Sequence, residues 1–373
     1  MMAGYRYILS GGGTSGHVNP ALAIAEAIRQ ADPEAEIRFY GTERGIESDL
    51  VARAGYAFQA IEARPLPGRP SPAMVRAAWS FWRGRRQCRQ LMRQFRPHIV
   101  IGTGGYVASP VVSAASSLGI PVLLHEQNAF PGRSNRLMAR QSQQVCVAFP
   151  GTERHFPRHV PIAVTGNPVR PAFFSQDRQA VRERLHQEGE RPLVLAMGGS
   201  LGARTINQAI LSLTDWVHEM EREGHVLPRV VLAAGQRQYA SIAAAAAAEG
   251  RWLEVHDYIH NIQEWMAAAD LLICRSGALT CSEIAALGRP AILVPYPYAA
   301  GDHQTFNARV LADAGGALLC PDAQLTGTWL ASRLDQLLNQ PDQLESMGRQ
   351  AASLARPDAA AAICEHVMRL IRP

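Results

Sequence analysis

The chain contains no lysine; all 37 of its basic residues are arginine. That absence excludes a phosphate-loop lysine and a Schiff-base lysine together. A GC-rich genome is the plain source of such a bias. Long apolar runs are missing as well. No stretch reaches the roughly 18 uncharged apolar residues that span a bilayer, so no membrane-crossing segment is expected. The opening MMAGYRYILSGGG lacks the apolar core of a signal peptide and runs straight into a strand and a glycine loop. Cys88, Cys146, Cys274, Cys281, Cys320 and Cys364 form no C-x-x-C pair. They read as reduced thiols of a cytosolic protein, neither a disulfide framework nor a zinc site. No D-x-D triplet occurs, so no carboxylate-held divalent metal and no cofactor are expected.

What is present describes a core-forming chain. At 373 residues with 47% hydrophobic and 18% charged side chains, it is too long for one ordinary domain and fits two α/β domains sharing a cleft. The formal charge of +5 is unevenly spread. Between Glu62 and Glu126 there is no acidic residue, while Arg64, Arg69, Arg76, Arg83, Arg85, Arg86, Arg89, Arg93 and Arg96 all fall there. One face of the first half is therefore expected to be strongly positive.

Alternating buried strands and amphipathic helices run through the chain. Tyr5–Leu9, Glu36–Tyr40, His98–Ile101 and Val122–Leu124 read as strands, with a helix over Pro20–Ala31. The rhythm restarts at Leu193–Met197, which enters Gly198–Gly202 and a helix from about Ala203. Val230–Ala233, Leu271–Cys274 and Ala291–Val294 continue it. This βαβα order predicts two doubly wound, Rossmann-like domains facing across a cleft, with ligands at the carboxyl ends of the strands. Gly166-Asn167-Pro168-Val169-Arg170-Pro171 suits a hinge, which places domain boundaries at 1–165 and 166–345. The alanine-rich Ser241–Glu249 reads as an exposed helix of high propensity.

Three glycine clusters follow strands: Gly11–Gly16, Gly102–Tyr106 and Gly198–Gly202. Gly11, Gly13 and Gly16 fit G-x-G-x-x-G, which lets backbone N–H groups approach an anion but also fits a tight turn without a ligand. An NAD site wants an acidic residue at the end of the second strand; Glu43 lies beyond Gly41-Thr42. His17 follows Gly16 at the first helical turn, where an imidazole can take a proton at neutral pH or simply pack locally. In the second half, Cys274–Glu283 follows a strand and opens a helix. Glu283 suits either two adjacent ribose hydroxyls or a solvated position in the helix dipole. Asp302 and Asn307 either cap a helix or recognise hydroxyls. A leaving diphosphate would meet helix dipoles, backbone N–H groups and Arg275.

In combination these motifs resemble the MurG family of peptidoglycan N-acetylglucosaminyltransferases. The resemblance rests on Gly11–Pro20, Gly104-Gly105-Tyr106, His125-Glu126-Gln127-Asn128, Gly166–Arg170, Gly198-Gly199-Ser200, Arg275–Thr280 and Asp302-His303-Gln304, in that order across nearly the whole chain. It implies a B-type glycosyltransferase fold, with the last helices (346–373) packing back on the first domain. It implies inverting transfer of N-acetylglucosamine from UDP-GlcNAc to the C4 hydroxyl of lipid I (undecaprenyl-diphospho-N-acetylmuramoyl pentapeptide), forming lipid II. His17 is then the candidate base, and Thr14, Ser15, Gly16 and Asn128 border the reacting sugars. Arg170, Ser200, Ile259, Ala278, Leu279, Thr280, Cys281, Ser282, Glu283 and Gln304 match nucleotide-sugar positions. Tyr106, Glu126 and Asn307 are further acceptor-side candidates, Glu126 being the alternative base. Ser15 and Leu201 depart from the common family pattern, and Leu201 puts any side-chain contact to phosphate in doubt.

Trp79, Phe81 and Trp82 beside Arg85 and Arg86 suit an anionic membrane interface at the cytoplasmic face. The same segment also fits a basic helix with core aromatics. Nucleic acid is not expected, for no reader motif accompanies it. The rivals are a UDP-sugar epimerase of the same two-domain plan, an NAD(P)-dependent oxidoreductase, and a basic binding module without catalysis.

Overall fold

The computed structural model describes residues 4–67, 69, 71–187, 189, 191–199, 201–248 and 252–372. The chain divides into two compact units. The first runs to Val169 and resumes at Arg356; the second is Arg170–Ala355. The division thus falls a few residues after the expected 165, and the returning segment starts later than 346.

In the first unit the strands are β1 (Arg6–Gly11), β2 (Glu36–Gly41), β3 (Ala57–Ala60), β4 (Ile99–Gly104), β5 (Val122–Glu126), β6 (Gln144–Val147) and β7 (Ile162–Val164). They form a parallel sheet in the order β3-β2-β1-β4-β5-β6-β7. β4 and β5 are buried along their whole length, as a sheet covered on both faces requires, and their near-continuous apolar sequence follows from that. The order reverses direction between β1 and β4, which opens a crevice at their carboxyl ends.

The second unit repeats the plan. β8 (Leu193–Met197), β9 (Arg229–Ala233), β10 (Leu253–His256), β11 (Leu271–Cys274), β12 (Ala291–Leu293) and β13 (Ala317–Leu319) form a parallel sheet ordered β10-β9-β8-β11-β12-β13. Its switch point lies between β8 and β11. Both sheets and their helices make an α/β chain of two Rossmann-like units.

Two expectations about helices need correction. The helix Pro341–Ser353 packs within the second unit, where a Cβ on Gly348 would fall 2.7 Å from the Gly288 carbonyl oxygen and one on Gly316 2.8 Å from Ala351 backbone. Small residues there let the backbones approach closely. Only the helix Ala359–Ile371 returns to the first unit, burying Ile363, Cys364 and Val367 against Tyr7, Leu9, Val18 and Ile24. Fully burying such aliphatic side chains contributes about 1.5–3 kcal/mol each. The alanine-rich segment forms the helix Tyr239–Ala248, but Ile242 and Ala246 insert into the second core, so it is not wholly exposed. All six cysteines are buried and free.

Candidate active site

The first crevice is built on close backbone contact. A Cβ on Gly11 would meet Thr103 Oγ1 at 1.9 Å, and one on Gly105 would meet the Gly12 carbonyl oxygen at 2.1 Å, so glycine alone lets the two loops touch. Gly13 has φ +84° and turns the chain into the helix Ser15–Ala31. Thr14 stands extended ahead of that helix without a side-chain capping bond, and Thr14 and Ser15 are exposed. The Ser15 and Gly16 N–H groups at the helix start suit an anion or a sugar oxygen, while His17 N already donates to the Thr14 carbonyl (3.1 Å).

A buried carboxylate braces this loop. Glu47 Oε2 accepts from Gly13 N (3.2 Å), while Oε1 accepts from Thr42 N (3.0 Å) and Thr42 Oγ1 (2.6 Å). No local pattern signals that role, since Glu47 stands 34 residues from Gly13 in a separate helix.

His17 is half-buried in the first turn of the helix. Its carbonyl accepts from Thr103 Oγ1 (2.7 Å), and its Nδ1 lies 3.1 Å from the Thr103 carbonyl oxygen and 3.0 Å from Gln127 Oε1. The ring is therefore tethered through Nδ1. No hydrogen bond reaches Nε2 from the described residues.

Glu126 serves a different purpose from the one expected. It is buried at the end of β5, where Oε1 accepts from Asn128 N (2.9 Å) and Asn128 Nδ2 (3.0 Å) and Oε2 accepts from Gly132 N (3.1 Å) and Asn135 Nδ2 (2.8 Å). With four donors on its two oxygens, it organises the 126–135 loop rather than offering a free base. Asn128 thereby gains its place in the crevice. Tyr106 is half-buried, its ring edge 3.0 Å from where a Cβ on Gly13 would stand.

In the second unit, Gly199 (φ +82°) and Gly202 (φ +76°) shape the loop after β8. A Cβ on Gly202 would meet the Ala234 carbonyl oxygen at 2.0 Å. Leu201 is exposed, and Ser200 lies outside the described residues. After β11, Ser276 Oγ donates to the Gln304 carbonyl (2.8 Å) and Asn307 Nδ2 donates to the Ser276 carbonyl (3.2 Å). Asn307 is fully buried and supports this loop from behind, in place of the acceptor-side role expected of it. Gln304 Oε1 accepts from Tyr296 N (2.9 Å), which orients the amide. Asp302 stands at the N-cap of the helix His303–Asp313 without a side-chain capping bond; its carboxylate accepts instead from Thr305 Oγ1 at 2.7 Å. Arg275 is spent on structure, its Nη1 donating to the carbonyls of Val294 and Pro295 and to Asp322.

The helix Ala278–Leu287 starts at Gly277 and carries the remaining candidates. Ala278 and Cys281 are buried; Leu279, Thr280, Ser282 and Glu283 are half-buried. Ser282 Oγ donates to the Ala278 carbonyl (3.0 Å). Burial pushes the Glu283 carboxyl up to about 7, against the pull of Arg170, an exposed residue of the same unit. Ile259 is buried in the loop after β10.

The arginine-rich segment is the helix Pro72–Phe95. Its inner stripe is Ala77, Ser80, Gly84, Cys88, Met92 and Phe95. Trp79 (63% exposed) and Trp82 (61%) point outward with Val75, and Phe81 is half-buried. Arg83 stacks over Trp79 at 4.7 Å and Arg85 over Trp82 at 5.4 Å. The two tryptophans are therefore not core. Among the described residues, no helix is long and apolar enough to cross a membrane. Nor do three His, Cys, Asp or Glu side chains gather as a metal-binding group among them.

Comparison with known proteins bears on the family and the fold. The model described as the glycosyltransferase family 28 N-terminal domain matches residues 7–147, and the one described as its C-terminal domain matches 193–363. The chain is 42% identical over 369 residues to the UDP-N-acetylglucosamine--N-acetylmuramyl-(pentapeptide) pyrophosphoryl-undecaprenol N-acetylglucosamine transferase of Desulforudis audaxviator, with 98% of each covered. It is similar to the crystal structure of Acinetobacter baumannii MurG, with a TM-score of 0.79 and 31% identity over 98% of this chain and 99% of that one. It also resembles the UDP-GlcNAc 2-epimerase from Neisseria meningitidis bound to UDP-GlcNAc, with a TM-score of 0.67 and 13% identity over 98% and 100% of the two chains. At that identity the likeness concerns the fold alone.

Proposed function

The chain belongs to glycosyltransferase family 28, and on that premise we propose how its residues share the reaction. It transfers N-acetylglucosamine from UDP-GlcNAc to lipid I, forming lipid II. His17 takes the proton from the C4 hydroxyl of the muramoyl residue through Nε2 while that oxygen attacks the anomeric carbon. The bond from that carbon to the diphosphate oxygen breaks as the new bond forms, and the electron pair leaves with UDP, so the configuration inverts. The observation that carries this reading is the tethering of His17 through Nδ1, with no described group bonded to Nε2.

Thr14, Ser15, Gly16 and Asn128 border the acceptor sugar, with Tyr106 beside them. On the second unit, Arg170, Ser200, Ile259, Ala278–Glu283 and Gln304 hold the donor. The departing diphosphate meets the N-terminal N–H groups of the helix Ala278–Leu287 and the loop Gly198–Gly202, with no step through a metal held by the protein. Glu283 accepts from the ribose hydroxyls. The outward Trp79 and Trp82, with Arg85 and Arg86, dock the chain on an anionic membrane surface at the cytoplasmic face.

The test is a quenched assay with UDP-GlcNAc, with and without a lipid I analogue. The expected result is a β-linked disaccharide product that requires the acceptor. An α-linked product would sink the inverting mechanism. An epimer formed from UDP-GlcNAc alone would favour the epimerase reading.

A further inference from the structure

The hydrogen bonds behind His17 admit one polarity only. Its Nδ1 faces two oxygens, the Thr103 carbonyl (3.1 Å) and Gln127 Oε1 (3.0 Å), neither of which can donate in this orientation. Nδ1 must then carry the hydrogen. The orientation of the Gln127 amide is itself fixed. Its nitrogen lies 3.1 Å from the His125 carbonyl oxygen, a pure acceptor, so the nitrogen faces His125 and the oxygen faces His17. The same nitrogen lies 3.0 Å from His125 Nδ1, which must accept. His125 therefore carries its hydrogen on Nε2, 3.1 Å from the Gly166 carbonyl oxygen. Complete burial holds His125 neutral by pushing its pKa down to about 4, so Nδ1 stays an acceptor at neutral pH.

We propose that Gln127, backed by His125, is a positioning residue that locks His17 as the Nδ1–H tautomer and leaves the Nε2 lone pair to take the acceptor's proton. The second half of that statement rests on His17 being the base; the first does not. The partner is a neutral amide rather than a carboxylate. The nearby carboxylates are occupied elsewhere, Glu47 with Gly13 and Thr42 and Glu126 with the 126–135 loop. The relay thus orients the imidazole without placing a counter-charge against it, so the imidazolium formed in the reaction is not trapped. Asn167 Nδ2 donates to the Gln127 carbonyl (3.1 Å), which anchors the relay's backbone beside Gly166.

The experiment combines spectroscopy with kinetics on the full chain. In 15N-histidine-labelled protein at pH 8, with His17 assigned by its loss in His17→Gln, Nδ1 should carry the proton and Nε2 should not. Gln127→Met keeps the length but removes the acceptor; it should mix the two tautomers and lower kcat about tenfold, with KM for UDP-GlcNAc within about twofold. Gln127→Glu restores an acceptor toward His17 and should recover part of that loss. A protonated Nε2 on His17 in the unaltered enzyme would overturn the proposal, whatever the variants do. So would Gln127→Met with unchanged tautomer and kcat. If His17→Ala kept the chemical rate, the base assignment alone would fall, and the spectrum would still decide the tautomer.

Discussion

The two switch-point crevices share a topology and differ in what their polar groups are doing. Beside β1 and β4, nearly every titratable group is already bonded: Glu47 to the glycine loop, Glu126 to its four donors, and His17 and His125 through Gln127. Beside β8 and β11, Glu283 feels burial and the pull of Arg170, and receives no hydrogen bond among the described residues. On the proposed reading, the crevice that fixes the proton acceptor is wired in advance. The one that takes the nucleotide leaves Glu283 for the ligand, although Arg275 is already claimed by Asp322 and two carbonyls. The same fold supports both, and side-chain commitment separates them.

The largest effect that would break this comparison is expected at His17. His17→Ala should slow the chemical step about 10²–10⁴-fold, or roughly 3–5 kcal/mol, in single-turnover assays while donor affinity holds. A near-normal chemical rate would remove catalysis from the first crevice.

Glu126 comes next. Glu126→Ala strands its buried donors and should cost about 3 kcal/mol or more of unfolding free energy, read from urea midpoints, with Glu126→Gln milder. Unchanged midpoints in both variants would mean that the pre-wired loop does not matter.

Glu283 sharpens the contrast through pH. Its native pKa near 7 exceeds the ordinary 4.5, so the folded state holds a proton that the unfolded chain has released. The resulting stability is complete below about 4.5 and is lost as pH rises through about 7. Glu283→Gln should therefore stabilise the apo protein at pH 8 by up to about 3 kcal/mol. Matching stability curves against pH for the two proteins would show an ordinary carboxylate. Glu283→Ala should also weaken UDP-GlcNAc binding, and unaltered affinity in calorimetry would end the ribose assignment.

The smallest effect lies at the surface. Reversing Arg85 and Arg86 to glutamate should weaken flotation with anionic liposomes by about 1 kcal/mol per residue, and more in low salt than in high. Equal flotation would leave the outward tryptophans without their proposed partner.

The repeated strand, glycine loop and helix were legible because fully buried parallel strands read as apolar runs, and close loop contact demands glycine. β3, β6, β7, β10 and β13 escaped notice: each has three or four residues, and all but the mostly buried β6 lie at sheet margins with half-buried positions and no sustained apolar run. His17 stood out because a histidine after a glycine loop is unusual. Gln127 did not, although it lies in a run that carried the family resemblance, because its role depends on a partner 110 residues away. Arg275 and Glu126 were visible as residue types, but only the fold reveals that other groups had already claimed them.

The helix Ala359–Ile371 makes the first unit discontinuous along the chain. A ribosome emits the whole of the second unit before Ile363 and Val367 exist to finish the first core. The earlier-made unit must therefore wait, partly open, for the later one, reversing the usual precedence of N-terminal folding during translation. Expressing residues 4–169 alone would yield a sheet with an uncovered apolar flank. A circular permutant that joins the returning helix ahead of β1 would let the first unit mature before the second is made.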